Sequence, residues 1–230
     1  MEESRRAALV TGGTGRVGRA IVARLEDDGL RVKAAGRRDG DLARAAGARE
    51  LVDATVAELG RLDVVVHAAA EGFGPRPVEE VTEQDWDAAL GATAKGAFFV
   101  AQAAAPHLRA AGNGVIVLVE DVASYEPWPL FAPHSAAKAA EAMLTRVLAR
   151  ALAPEIRVCG VAPGTVTLEG RPGEEEKRAA ETLLGRVGSP LDVAEAVAYL
   201  VDARYVTGTT LVVDGGRLLQ RDRPFSARPQ

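Results

Sequence analysis

Short apolar runs alternate along this chain with longer stretches whose apolar residues recur every three or four positions. The short runs are Ala7–Thr11, Arg31–Ala35, 63–67, Gly114–Val119, 157–162 and 211–214. Most are apolar throughout rather than alternating, the pattern of strands buried on both faces of a parallel sheet. Between the first two, Val17, Ile21 and Leu25 recur every four residues and make one apolar helix face. Helical patterns also cover 49–59, 83–108, 135–152, 174–184 and 191–200. The 83–108 stretch is expected to bend and to end near Pro106 or Gly112, and 135–152 is closed by Pro154. Regular strand–helix alternation predicts a doubly wound α/β sheet flanked by helices. One interval is short: 25 residues separate Arg37 from Asp63. That holds one helix and no further strand, so a shortened or missing third-strand region is expected.

Composition narrows the setting. The chain has 230 residues, 47% of them hydrophobic, enough for one domain with a sizeable core. We assign 1–220 to it and expect 221–230 to fray. The net charge of −4, with both signs spread along the chain, points away from nucleic acid or an anionic membrane as partner. Cys159 is the only cysteine, so no internal disulfide forms and a reducing compartment is expected. The opening MEESRR has no apolar segment of a signal peptide, and no run is long enough to span a bilayer. The expected location is cytoplasmic.

The first strand leads into TGGTGRVG. Gly13, Gly15 and Gly18 satisfy G-x-G-x-x-G between an apolar strand and an amphipathic helix, the context of a dinucleotide-binding turn. Glycines let the backbone approach a pyrophosphate, and the helix N-terminus presents N–H groups to it. Gly12, Gly13, Thr14, Gly15, Arg16, Val17 and Gly18 are therefore cofactor-binding candidates. At the end of the second strand an NAD site carries an acid for the ribose hydroxyl. Here Gly36 stands in that place, followed by Arg37 and Arg38, whose forked donors suit a 2′-phosphate. That favours NADP(H).

TGGTGRVG, RLDVVVHAAA, WDAALGATAKGAFFVAQAAAPHL, PHSAAKAA, VAPGTV and YVTGTTLVVDGG together resemble the short-chain dehydrogenase/reductase family over nearly the whole chain. The resemblance implies a single-domain Rossmann-type fold, a nicotinamide cofactor, a small-molecule substrate and a homotetramer or homodimer. It places His67, Ala68 and Ala69 along the cofactor, Lys138 at the nicotinamide ribose and Pro163, Gly164, Thr165 and Val166 around the nicotinamide. The segment 166–177 corresponds to the family's mobile substrate lid. The resemblance also exposes departures. His134 stands where most of the family has a tyrosine, four before the lysine. Asp121 stands at the serine position, and Thr93 at that of an asparagine in the central helix. An aspartate at the serine position, with the YVTGTTLVVDGG ending, is similar to the pteridine-reductase branch.

His134, Lys138, Asp121 and Thr93 are the catalytic candidates. Imidazole titrates near pH 6.5, close to working pH, and Asp121 can pair with it. Lys138 lies one helical turn on, where a second positive charge opposes protonation of His134. Three functions follow: an NADPH-dependent reductase of a carbonyl or pterin-like imine with His134 as unusual proton donor; a non-catalytic NADP(H)-binding scaffold or sensor; or a non-redox acid–base enzyme using the same pocket. No metal-ligand spacing is present. Cys159, within an apolar strand, is expected in the core.

Overall fold

The computed structural model describes residues 5–71, 74–166 and 173–220. Six parallel strands form one sheet: β1 (Ala7–Thr11), β2 (Arg31–Ala35), β3 (Val64–His67), β4 (Gly114–Val119), β5 (Ile156–Pro163) and β6 (Thr210–Val213), in the order β2-β1-β3-β4-β5-β6. The helices are α1 (Arg16–Asp27), α2 (Ala45–Leu59), α3 (Glu83–Leu90), α4 (Gly96–Ala111), α5 (Ala132–Leu152), α6 (Glu174–Ala179) and α7 (Pro190–Asp202).

The four central strands, β1, β3, β4 and β5, are almost wholly buried because both faces are covered. Ala8 and Val10 of β1 join Ile21 and Leu25 of α1 and Val193 and Val197 of α7 in one core layer. Leu9, pointing the other way, joins Leu51 of α2, Val100 of α4 and Leu148 of α5 in the second. Cys159 is fully buried in the first layer, as expected. All strands run parallel, so their C-terminal ends lie along one edge. In open α/β sheets ligands bind there, where the strand order reverses, here between β1 and β3.

The short interval after β2 holds no strand. Residues 36–44 form a tight loop, leaving β2 as the edge strand. Two basic side chains protect that edge. Arg31 donates to the Leu59 carbonyl at 2.6 Å, and Lys33 pairs with Glu58 at 2.6 Å. The loop seats itself on two glycines of the central helix. A Cβ on Gly91 would stand 3.0 Å from Ala43 Cβ, and one on Gly96 3.3 Å from Leu42 Cβ.

The bend expected in 83–108 and its end near Gly112 are present, and the boundary of 174–184 differs from expectation. The 83–108 helix is two helices joined by a π-turn, Gly91–Lys95, and it runs through Pro106 to Gly112, whose φ of 86° ends it. The helix of 174–184 stops at Ala179. Thr182 Oγ1 then accepts from the Arg186 amide, at 3.3 Å, so the chain turns instead of continuing. Residues 167–172 of the expected lid and the tail 221–230 lie outside the described residues. No described helix is long and apolar enough to cross a membrane.

Candidate active site

The cofactor cradle lies at the C-terminal ends of β1, β2 and β3. A cavity of about 460 Å³ is lined there by Gly12, Thr14 and Gly15 of the turn, by Gly36, Arg37 and Leu42 of the next loop, and by Ala68 and Ala69. Packing forces the glycines. Gly12 has φ of 69°, and a Cβ on it would stand 2.4 Å from the Ala68 carbonyl oxygen. A Cβ on Gly18 would stand 2.1 Å from the Gly12 oxygen. Gly15 begins α1 with no side-chain cap and no acid in the first turn, which leaves that helix end electropositive. These features fit a dinucleotide pyrophosphate. A Cβ on Gly36 would fall 2.5 Å from Thr14 Oγ1, so the seated threonine occupies the space of a ribose-binding acid. Arg37 stands at the rim, 77% exposed, and donates to Glu71 at 2.9 Å. Arg38 is exposed and does not line the cavity; neither do Gly13, Arg16, Val17 and Gly18, which shape the turn behind it.

His67 lies beneath the cradle rather than in it. It is fully buried, and its Nε2–H donates to the Ala92 carbonyl at 3.1 Å. The carbonyl only accepts, so Nδ1 is the acceptor for Thr11 Oγ1, at 2.9 Å. Burial, and then the charge of Lys138, lower its pKa to about 4, so it is neutral at physiological pH. The hydrogen bond to Ala92 takes up a carbonyl in the π-turn that also holds Thr93, itself 2% exposed.

Asp121 and His134 meet beyond the end of β4. Asp121 caps a short 3₁₀ turn, its Oδ1 accepting from the Ala123 amide at 2.8 Å. That bond aims Oδ2 at His134 Nε2, 3.4 Å away. Both side chains are partly open to solvent. The indole of Trp128 stacks on the imidazole with centroids 6.5 Å apart and planes within 15°. Ser124 Oγ, Trp128 Nε1 and Ser135 Oγ, in the same turns, are buried without protein partners.

Lys138 is buried one turn further along α5. Its Nζ donates to the Val119 carbonyl at 2.6 Å and to Glu141 Oε2 at 2.7 Å. Glu141 is fully buried, and its other oxygen has no hydrogen-bond partner and lies 3.9 Å from His67 Nε2. Burial pushes its pKa up to about 7, against the pull of Lys138. Glu120 is a second buried acid, held by Thr145 at 2.6 Å and Thr210 at 3.1 Å; burial raises its pKa too. The sequence reading overlooked both acids. The signal for Glu141 was present: with Ala137, Thr145 and Leu148 it forms the buried stripe of α5.

On the far side of the pocket, Pro163 ends β5 and Gly164 packs against Asp214, where a Cβ would stand 2.8 Å from its Cα. Thr165 Oγ1 accepts from Arg217 at 3.0 Å, and Val166 bridges to Gly188. Of the other histidines and thiols, His107 stays half-exposed on α4, 3.9 Å from Asp53, and Cys159 is turned to the Val206 carbonyl.

A family model described as enoyl-(acyl carrier protein) reductase matches residues 7–217. A putative ketoacyl reductase 2 of the granaticin polyketide synthase from Streptomyces violaceoruber is 34% identical over 235 residues, spanning 91% of this chain and 94% of its own. Human dehydrogenase/reductase SDR family member 4 is 33% identical over 241 residues, spanning 92% and 87%. A solved structure of a small-chain dehydrogenase superposes with a TM-score of 0.84 at 27% identity, covering 94% of this chain and 100% of that one.

Proposed function

The chain belongs to the short-chain dehydrogenase/reductase family of NAD(P)-dependent oxidoreductases, and from that membership we propose that it reduces a carbonyl or imine with NADPH, His134 donating the proton. The observation that carries this is the Asp121–His134 pair at the sheet's C-terminal edge, with Lys138 one turn away and bonded to Glu141. The turn Gly12–Gly18, Thr14, Ala68, Ala69 and the 163–166 segment would hold the dinucleotide, and Lys138 its ribose. When bound, the reduced nicotinamide supplies a hydride to the electrophilic carbon. The rest is the protein's. Asp121 holds the Nε2 side of the imidazole, so the proton on Nδ1 is the one delivered to the nascent oxyanion or amide nitrogen. The 3.4 Å separation is that of a pair which tightens when substrate arrives. The ketoacyl reductase relative supports a ketone as the group reduced, and an acid beside the donor supports a pterin-like imine. Both need the same donor.

Preference for NADPH rests on the space above Gly36 being taken by Thr14 and on Arg37 at the rim. Arg37 exchanges its exposed pairing with Glu71 for the 2′-phosphate. A titration of the purified protein with NADPH and NADH, followed by turnover on ketone, aldehyde and dihydropterin substrates, tests the function. Tight NADPH binding is expected, with Arg37→Ala weakening NADPH about tenfold, the value of one charge-assisted hydrogen bond, and leaving NADH within about twofold. Binding of neither nucleotide would overturn the assignment.

A further inference from the structure

The C-terminal 3₁₀ turn, Arg217–Gln220, carries a charged side chain that is only 11% exposed. The turn is held by Asp214, whose carboxylate accepts from the amides of Gly216 and Leu218, each at 2.8 Å. From there Arg217 reaches three other segments. Its Nε donates to Glu126 at 3.2 Å in the loop after β4. One terminal nitrogen donates to Thr165 at 3.0 Å after β5 and to Glu181 at 2.7 Å after α6. Its guanidinium carbon lies 5.5 Å from the centroid of the Trp128 ring. Trp128 in turn stacks on His134.

A surface salt bridge needs none of this. Two carboxylates and a hydroxyl fix the guanidinium in its own plane, and a fixed guanidinium fixes the indole it faces through the cation–π attraction. Nothing else holds the indole by a polar bond, since its Nε1 has no partner among the described residues. The indole then sets the plane of the imidazole. Geometry of this kind decides whether a proton donor lies in line with its acceptor. We propose that Arg217 is a positioning residue of the active site: it orients His134 through Trp128, so that the proton donor is seated only when the C-terminal turn is docked between Thr165 and Glu181. The proposal rests on His134 being the donor.

Two variants and one conservative change test it. In Arg217→Met, kcat is expected to fall about tenfold, the scale of a modest misplacement of a reacting group, while the Kd for NADPH stays within about twofold. The chain has three histidines, so the imidazole resonances of the protein without cofactor can be assigned by NMR. The His134 ring protons, shifted upfield over the indole, are expected to lose that shift in Arg217→Met. Trp128→Leu keeps the Arg217 salt bridges but removes the ring itself, and its kcat is expected to fall by a similar factor, which covers the case in which Arg217→Met does not fold. Arg217→Lys keeps the charge over the ring but not the fork, and recovers kcat to within about threefold. The proposal is overturned if His134 keeps its shift in Arg217→Met, or if kcat is untouched in Trp128→Leu or wherever the shift is lost. Its failure is separable from failure of the donor assignment: full turnover by a His134→Gln variant removes the donor and leaves the NMR shift to decide whether Arg217 seats the ring.

Discussion

Turnover of a carbonyl substrate with NADPH is expected to fall about a hundredfold in His134→Gln, the low end of what a positioned general acid contributes. Glutamine preserves the polar contact to Asp121 and most of the stacking area under Trp128. It cannot release a proton. The loss therefore belongs in kcat, with NADPH affinity unchanged, because no atom of His134 lines the cofactor cavity. Asp121→Asn keeps the imidazole and removes the carboxylate that holds its Nε2 side. Its loss is expected to be about tenfold. Steady-state rates from pH 6 to 9, with a parallel titration of NADPH, check both. Unaltered turnover in His134→Gln would place the proton donor elsewhere.

The second large effect is on stability rather than rate. His67 and Glu141 have opposite linkages over nearly the same pH window. The pKa of His67 is lowered from 6.5 to about 4 in the folded protein. Between those values the unfolded chain holds the proton and the folded chain does not, so stability is present above pH 6.5 and is lost as pH falls toward 4. The pKa of Glu141 is raised from 4.5 to about 7. There the folded chain holds the extra proton, so stability is present below pH 4.5 and is lost as pH rises through 7. Each shift corresponds to about 3 kcal/mol. In the native protein the two slopes largely cancel. Glu141→Gln retains an acceptor for Lys138 and removes the acid, so that term drops out: relative to the native protein, stability is expected to fall by about 3 kcal/mol as pH is lowered from 7 to 4.5. His67→Asn is expected to do the reverse, losing a similar amount relative to the native protein as pH rises from 4 to 6.5. Urea midpoints measured across pH and compared with the native protein isolate these slopes, since the other carboxylates contribute equally to both. Parallel curves for all three proteins would show that the buried acid and imidazole do not titrate as a pair.

Much of this molecule is legible in one dimension. Strand runs that are mostly apolar on both faces require cover on both, which for short parallel strands means a sheet sandwiched by helices. The glycine turn declares itself because Gly12 and Gly18 stand where a Cβ would strike backbone. The absent edge strand follows from counting residues between Arg37 and Asp63. Asp121 and His134 could be paired in advance because both follow from one strand and the helix after it.

What the chain alone could not decide is how groups distant in sequence meet. The stripe of α5 that carries Glu141 is periodic in the sequence, but the pairing of that acid with Lys138 was decided only when α5 packed on the sheet. The Ala92 carbonyl of the π-turn is taken by His67, 25 residues earlier. Arg217 finds its partners 91, 52 and 36 residues back along the chain. Periodicity and turn chemistry act over a few residues and therefore specify elements. The state of a buried charge depends on every element packed around it, and that is settled only by the tertiary structure.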